Sequence, residues 1–193
     1  MIINRQKSQH SGPFSMKSAL LGVVVFGLGL AATTTGRRPP PTKASPPLVS
    51  EGQVNGSVLP TANVPAVANL HPELRQALLN AADAAAEDGI EVRVNSGWRS
   101  RRYQSILLGD AIRFYGSKEE ARRRVATPEN SAHVHGAAID VGPSEAAAWL
   151  RQNGAKFGLR QTYVNEGWHF ELRRPEADSG LCPPMFQNAS ETR

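Results

Sequence analysis

A histidine and an aspartate seven residues apart, His133 and Asp140 in the run SAHVHGAAID, precede a glutamate and a histidine three apart, Glu166 and His169 in EGWHF. Two imidazoles and a carboxylate make a full protein ligand set for a catalytic zinc ion, with a fourth position left for water. Glu166 then remains to handle protons as a general base. If residues 133–140 ran as one strand, the odd separation would put the two side chains on opposite faces. The chain must therefore bend between them, and Gly136 is where a bend costs least. Each residue also has a plainer reading: a loop histidine, an aspartate ending a strand, a core histidine between Trp168 and Phe170. His135, two residues from His133, competes as a ligand but is read as part of the pocket wall.

The elements that must position these groups are legible in outline. Pro72 fits the first turn of a helix over ELRQALLNAADAAAED, which Gly89 closes. Ile90 to Asn95 alternates apolar and charged residues as a half-buried strand does, and delivers Ser96, Gly97, Trp98 and Arg99 at its end. Arg101 to Tyr115 reads as a helix with an apolar stripe of Tyr103, Ile106, Leu107, Ala111 and Phe114, ended by Gly116. Ser117 and Glu120 form a capping box for a short helix through Val125, whose ARRR run is a solvated face. A loop over Thr127 to Asn130 leads into the histidines. Ala137 to Val141 is a short buried strand broken by Gly142-Pro143, and Ser144 can cap the following helix, which ends at Asn153-Gly154. The rest through Arg173 is short and strand-rich. Helices mixed with short strands, without regular βαβ alternation, predict an α+β domain: a small, mainly antiparallel sheet flanked by helices.

The flanks say where such a domain works. Residues 1–68 carry 6 Lys/Arg against 1 Asp/Glu, and residues 69–193 carry 16 against 16, so the net charge of +5 lies wholly in the N-terminal third. A basic excess beside an apolar segment is a topology signal and argues against a nucleic-acid groove on the folded part. Arg5, Lys7 and Lys17 precede 19 uncharged residues, Ser18 to Gly36. Residues 1–36 are therefore expected to be a signal peptide or membrane anchor of an exported protein. Residues 37–68 hold seven of the fourteen prolines and read as a disordered linker, with the folded domain over 69–175 and a flexible tail over 176–193. The single cysteine, Cys182, has no internal disulfide partner and is assigned no role.

The strings SGWRS, SAHVHGAAID and EGWHF, in this order and at these intervals, resemble the zinc D-alanyl-D-alanine carboxypeptidases of bacterial cell walls. That family is related to the vancomycin-resistance dipeptidases and is grouped with lysostaphin-like endopeptidases and the hedgehog signalling domain. The resemblance runs from about Leu70 to Arg173. It implies that His133, Asp140 and His169 bind one Zn2+, that Glu166 is the catalytic base and that Arg99 faces the scissile carbonyl. It further implies that Ser131 and Gln104 contact the substrate. Two departures touch the pocket wall: PENSAH stands where the family often has Pro-Gly-His before Ser-x-His, and Val134-His135 where it often has Gln-Thr. The implied activity is hydrolysis of D-Ala-terminated peptidoglycan stem peptides by a monomeric catalytic domain. The alternatives are a cross-bridge endopeptidase and a non-catalytic wall-binding domain that keeps zinc for structure.

Overall fold

A computed structural model of the chain describes residues 45–173 and 183–191. The expected signal or anchor over 1–36, the start of the linker and Cys182 lie outside the described residues. None of the helices among those described is long and apolar enough to cross a membrane.

Four antiparallel strands form one sheet in the order β1-β2-β4-β3: β1 is Arg93–Ser96, β2 Ala138–Gly142, β3 Leu159–Gln161 and β4 His169–Leu172. The pleat sends alternate side chains to opposite faces, and here the division separates core from chemistry. Ile139 and Phe170, register partners on β2 and β4, are fully buried on one face. Asp140 and His169, the next pair along, share the other. The core face is covered by α2 (Pro72–Glu87) and α5 (Ser144–Asn153), which contribute Leu74, Leu78, Ala81 and Leu150 to a cluster with Val94, Ile139, Val141, Leu159 and Phe170. Burying each of these large side chains contributes roughly 1.5–3 kcal/mol, so the sheet face bearing the polar residues is held against a firm base.

The α+β architecture matches the expectation, and so do most element positions. The helix α2 spans the expected residues, and Gly89 follows it at φ +74°. α3 (Arg101–Tyr115) is capped by the Ser100 side chain, which accepts from the Tyr103 N–H, and closed by left-handed Gly116. α4 (Lys118–Arg122) is capped by Ser117, which accepts from the Glu120 N–H. Other details differ. The first strand starts at Arg93 rather than Ile90. Ser144 is the first helical residue of α5, with Pro143 ahead of it as cap. The stripe on α3 does not form a core face: Gln104 and Ala111 are buried, whereas Phe114 is 82% exposed and packs edge-on against Tyr115.

The largest departure concerns the expected linker. Over its described part the chain is ordered: a 3-10 turn at Leu48–Glu51, then Val58, then α1 (Pro65–Ala68). Val58 and Val94 exchange both backbone hydrogen bonds, at 3.0 and 2.8 Å, which covers the outer edge of β1. Glu51 is buried, accepts from Ser100 Oγ at 2.6 Å and pairs with Arg102. Prolines restrict the unfolded chain as well as the folded one, so a Pro-rich segment with a few specific partners orders readily. The expected flexible tail also departs over 183–191. Phe186 bridges Tyr163, and Ala189 is buried in a short 3-10 turn.

A candidate metal centre on the polar sheet face

Asp140 and His169 face each other across β2 and β4, and His133 is brought to them by the turn that precedes β2. Gly136 makes that turn possible. Its φ is +67°, and a Cβ there would lie 2.5 Å from the Asn69 carbonyl oxygen, so a side chain is excluded both by conformation and by space. The turn is cross-bonded to the SGWR segment: the Arg99 N–H donates to the His133 carbonyl at 3.1 Å, and His133 Nδ1 lies 2.8 Å from the Gly97 carbonyl. Gly97 in turn has no room for a side chain, because a Cβ would meet the Ala66 carbonyl oxygen at 2.1 Å.

The three groups converge. His133 Nε2 is 3.2 Å from His169 Nδ1, His169 Nδ1 is 3.1 Å from Asp140 Oδ1, and His133 Nε2 is 3.4 Å from the same oxygen. A tetrahedral zinc ion with bonds near 2.05 Å separates its ligand atoms by about 3.3 Å, so the triangle already has the size that such an ion requires. The tautomers agree as well. The Gly97 carbonyl can only accept, so His133 Nδ1 carries the proton and leaves its Nε2 lone pair toward Asp140. His169 Nε2, 3.1 Å from Glu171 Oε1, donates there and leaves Nδ1. Such outer partners fix ring orientation and raise ligand basicity.

Charge follows the geometry. Burial, helped by the Arg99 guanidinium, holds His133 below its ordinary value and therefore neutral. Burial also disfavours a charged Asp140, but His133, His169 and Arg99 together outweigh it and hold the carboxyl well below the usual range. His169 runs opposite to His133: burial lowers it, yet hydrogen bonds to Asp140 and Glu171 raise it to about 9.

Glu166 reaches the site through a tight turn in which its N–H donates to the Tyr163 carbonyl and its own carbonyl accepts from the His169 N–H. Its Oε2 is 4.0 Å from His169 Nδ1, and its Oε1 is buried without a partner. Burial pushes this carboxyl up to about 7. A buried acceptor left unmade costs roughly 1–3 kcal/mol.

All four residues, with Arg99, Gln104 and Ser131, line one cleft of roughly 360 Å3. Arg99, expected to face the scissile carbonyl, lines the cleft and is anchored within it. Its guanidinium donates to Asp140 Oδ2 at 2.8 Å, Ser96 Oγ at 2.8 Å and Gln104 Oε1 at 3.1 Å. Gln104, fully buried, spends its amide on Arg99 and on the Ala126 carbonyl and so holds the arginine. Ser131 is buried in the cleft wall. His135 lies outside the triangle, exposed, near the Glu129 carbonyl. Two neighbours of His169 were not read from sequence. Glu171 carries a period-two signal, since it follows His169 by two on the same strand. Tyr163, whose ring sits 4.8 Å from that of His169, carries none.

Fold and site together define a class: a small α+β domain with a His-Asp-His centre on one sheet face and the Glu166 carboxylate beside it. The family model for VanY, D-alanyl-D-alanine carboxypeptidase, matches residues 67–173, and the chain belongs to that family. A D-alanyl-D-alanine carboxypeptidase of Enterococcus faecalis is 28% identical over 139 residues, covering 56% of this chain and 52% of the relative. The putative carboxypeptidase YodJ of Bacillus subtilis is 28% identical over 103 residues, 47% of this chain and 37% of that one. The chain thus spans about half or less of the curated relatives it matches. Among solved structures, a mutant of the vancomycin-resistance D,D-pentapeptidase VanY from the VanB-type cassette, in complex with Zn(II), aligns with a TM-score of 0.50 at 26% identity, over 53% of this chain and 72% of that one. VanYB in complex with D-alanine-D-alanine gives 0.50 and 26%, over 53% and 71%.

Proposed function

We propose that the protein is a zinc-dependent D,D-carboxypeptidase that removes the terminal D-alanine from peptidoglycan stem peptides. The observation that carries this is the triangle of His133, Asp140 and His169 beside the Glu166 carboxyl, whose Oε1 has no partner, in a chain of the VanY family. His133 Nε2, Asp140 Oδ1 and His169 Nδ1 would hold the ion. When bound, zinc supplies Lewis acidity that brings the pKa of water to about 7 and polarises a carbonyl.

The remaining work falls to the chain's own groups. Glu166 takes the proton of the attacking water and returns it to the departing amine of D-alanine. A carboxyl raised to about 7 by burial accepts and releases protons in the neutral range. Arg99 keeps the second oxygen of Asp140 occupied, which aims the first at the ion, and its positive charge lies beside the carbonyl oxygen as that oxygen becomes anionic. Gln104 acts by fixing Arg99, and Ser131 forms the wall against which the substrate rests. The substrate lies outside the cytoplasmic membrane, so the domain works there as a monomer, exported or tethered through residues 1–36.

The test is release of D-alanine from a peptide ending in D-Ala-D-Ala by the zinc-loaded protein. Release is expected to fall by about 10²–10⁴ in Glu166→Gln while the zinc content is unchanged. Release of a longer fragment instead of D-alanine, or full activity in Glu166→Gln, would overturn the reading.

A further inference from the structure

The segment that carries Arg99 is gripped by residues that precede the stretch matched by the family model, 67–173. Glu51 takes both donors of Ser100: its carbonyl accepts from the Ser100 N–H at 2.9 Å, and its Oε2 accepts from the Ser100 hydroxyl at 2.6 Å. The other carboxylate oxygen pairs with Arg102, and the Glu51 side chain is 10% exposed. The Ser100 hydrogen bond, helped by Arg102 against the cost of burial, holds this carboxyl below its ordinary value. It is therefore an anion throughout the neutral range. Gly52 then lies directly on the peptide ahead of Arg99, where a Cβ would meet the Trp98 carbonyl oxygen at 2.1 Å and Arg99 Cα at 3.1 Å.

Ser100 stands between Arg99 and the helix that holds it. It caps α3 by accepting from the Tyr103 N–H at 2.9 Å, and its carbonyl accepts from the Gln104 N–H at 3.0 Å. Gln104 in turn accepts from the Arg99 guanidinium at 3.1 Å. A shift of Ser100 thus reaches Arg99 from two sides, through the peptide bond between them and through Gln104. Misplacing a catalytic group by about 1 Å can cost about 10²-fold in rate. We propose that Glu51 is a positioning residue for Arg99: by anchoring Ser100 it fixes the guanidinium beside Asp140, which makes the segment ahead of the family-matched residues part of the catalytic apparatus. What Arg99 does there rests on the carboxypeptidase reading; that Glu51 holds it does not.

The experiment is a double-mutant cycle on the zinc-loaded full chain, with Glu51→Ala in the native and in the Arg99→Gln background, read as kcat and KM for D-alanine release. Glu51→Ala is expected to lower kcat about tenfold and leave KM within about twofold, because the Arg99 charge acts in the transition state. In Arg99→Gln the same substitution is expected to cost less than about twofold. Glu51→Gln, which keeps an oxygen for the Ser100 hydroxyl, is expected to restore most of kcat. Glu51→Asp, whose shorter side chain draws the carboxylate away from Ser100, should fall between them and decides the outcome where zinc content and melts show that Glu51→Ala does not fold. A second readout needs no substrate: the NMR signal of the Arg99 Nε–H, which donates to Ser96 Oγ at 2.8 Å and is assigned by its loss in Arg99→Gln. In Glu51→Ala it is expected to shift, and its proton to exchange with solvent at least about tenfold faster. The proposal fails if Glu51→Ala is as fast as the native protein, if kcat falls equally in both backgrounds, or if the loss lies in KM. It fails too if Glu51→Gln is as slow as Glu51→Ala, which would assign the effect to the Arg102 pair, or if the Arg99 signal is unmoved. A native protein that releases no D-alanine would overturn the carboxypeptidase reading instead, and the Arg99 signal would then judge Glu51 alone.

Discussion

Replacing Glu171 by alanine leaves every proposed ligand in place and still weakens the metal centre. The His169 ring, 3% exposed, has one acceptor for its Nε2 proton, Glu171 Oε1 at 3.1 Å, and the Glu171 side chain is itself 21% exposed. A hydrogen bond to a charged group in such a setting is worth about 1.5–3 kcal/mol. Its loss frees the ring to rotate or to move its proton to Nδ1, the atom proposed to bind the ion. The expected result is a zinc Kd raised about 10- to 100-fold, read by competition with a chromophoric chelator. D-alanine release at limiting zinc should fall in parallel and recover when zinc is added in excess. Glu171→Gln keeps an oxygen that can accept from Nε2 and should restore most of the affinity, which separates loss of the hydrogen bond from loss of charge. A Glu171→Ala protein that binds zinc within about twofold of the native one would refute the reasoning, because His169 would then need no outer partner.

Zinc uptake should release protons. With His169 raised to about 9 and His133 held neutral, binding at pH 6 displaces about one proton per ion. Calorimetry in buffers of different ionisation enthalpy measures the number, and a value near zero would contradict the assigned protonation. The metal-free protein should lose stability as pH rises from 6.5 through 9. A folded pKa above the ordinary 6.5 of His169 means the stabilising proton is fully present below that value and gone above about 9, and the raised Glu166 carboxyl acts in the same direction between 4.5 and 7. Thermal melts across that range check the sign. Gly52→Ala should cost about 1–3 kcal/mol, since its φ is +97° and a Cβ would meet the Trp98 carbonyl oxygen at 2.1 Å. The displaced Trp98 adjoins Arg99, so melts and D-alanine release should both decline, whereas unchanged melts would show that the approach at Gly52 is relaxed.

The proposed ligands were legible because their spacing and residue types are local. His133 and Asp140 sit either side of a glycine that has to bend, and the bend is there at Gly136. The order in space was not legible: nothing in one sequence says that β4 inserts between β2 and β3, which is what sets His169 opposite Asp140. Arg99 shows the same limit. Its segment could be recognised, but its grip on Asp140 spans 41 residues and depends on buried Gln104, a polar residue on what looked like an apolar stripe. Residues 45–68 escaped for another reason. Hydrophobic pattern reports cores, and this segment is held by a two-bond bridge at Val58 and a buried carboxylate at Glu51, neither of which has periodicity.

The central claim is that two imidazoles and one carboxylate hold a single zinc ion with a place left for water. X-ray absorption at the zinc edge of the metal-loaded protein tests it most directly. The expected spectrum is a shell of about four nitrogen and oxygen neighbours near 2.0 Å, with outer scattering from two imidazoles that drops to one in His133→Ala and in His169→Ala. A sulfur neighbour near 2.3 Å, or an imidazole count unmoved by either substitution, would contradict it.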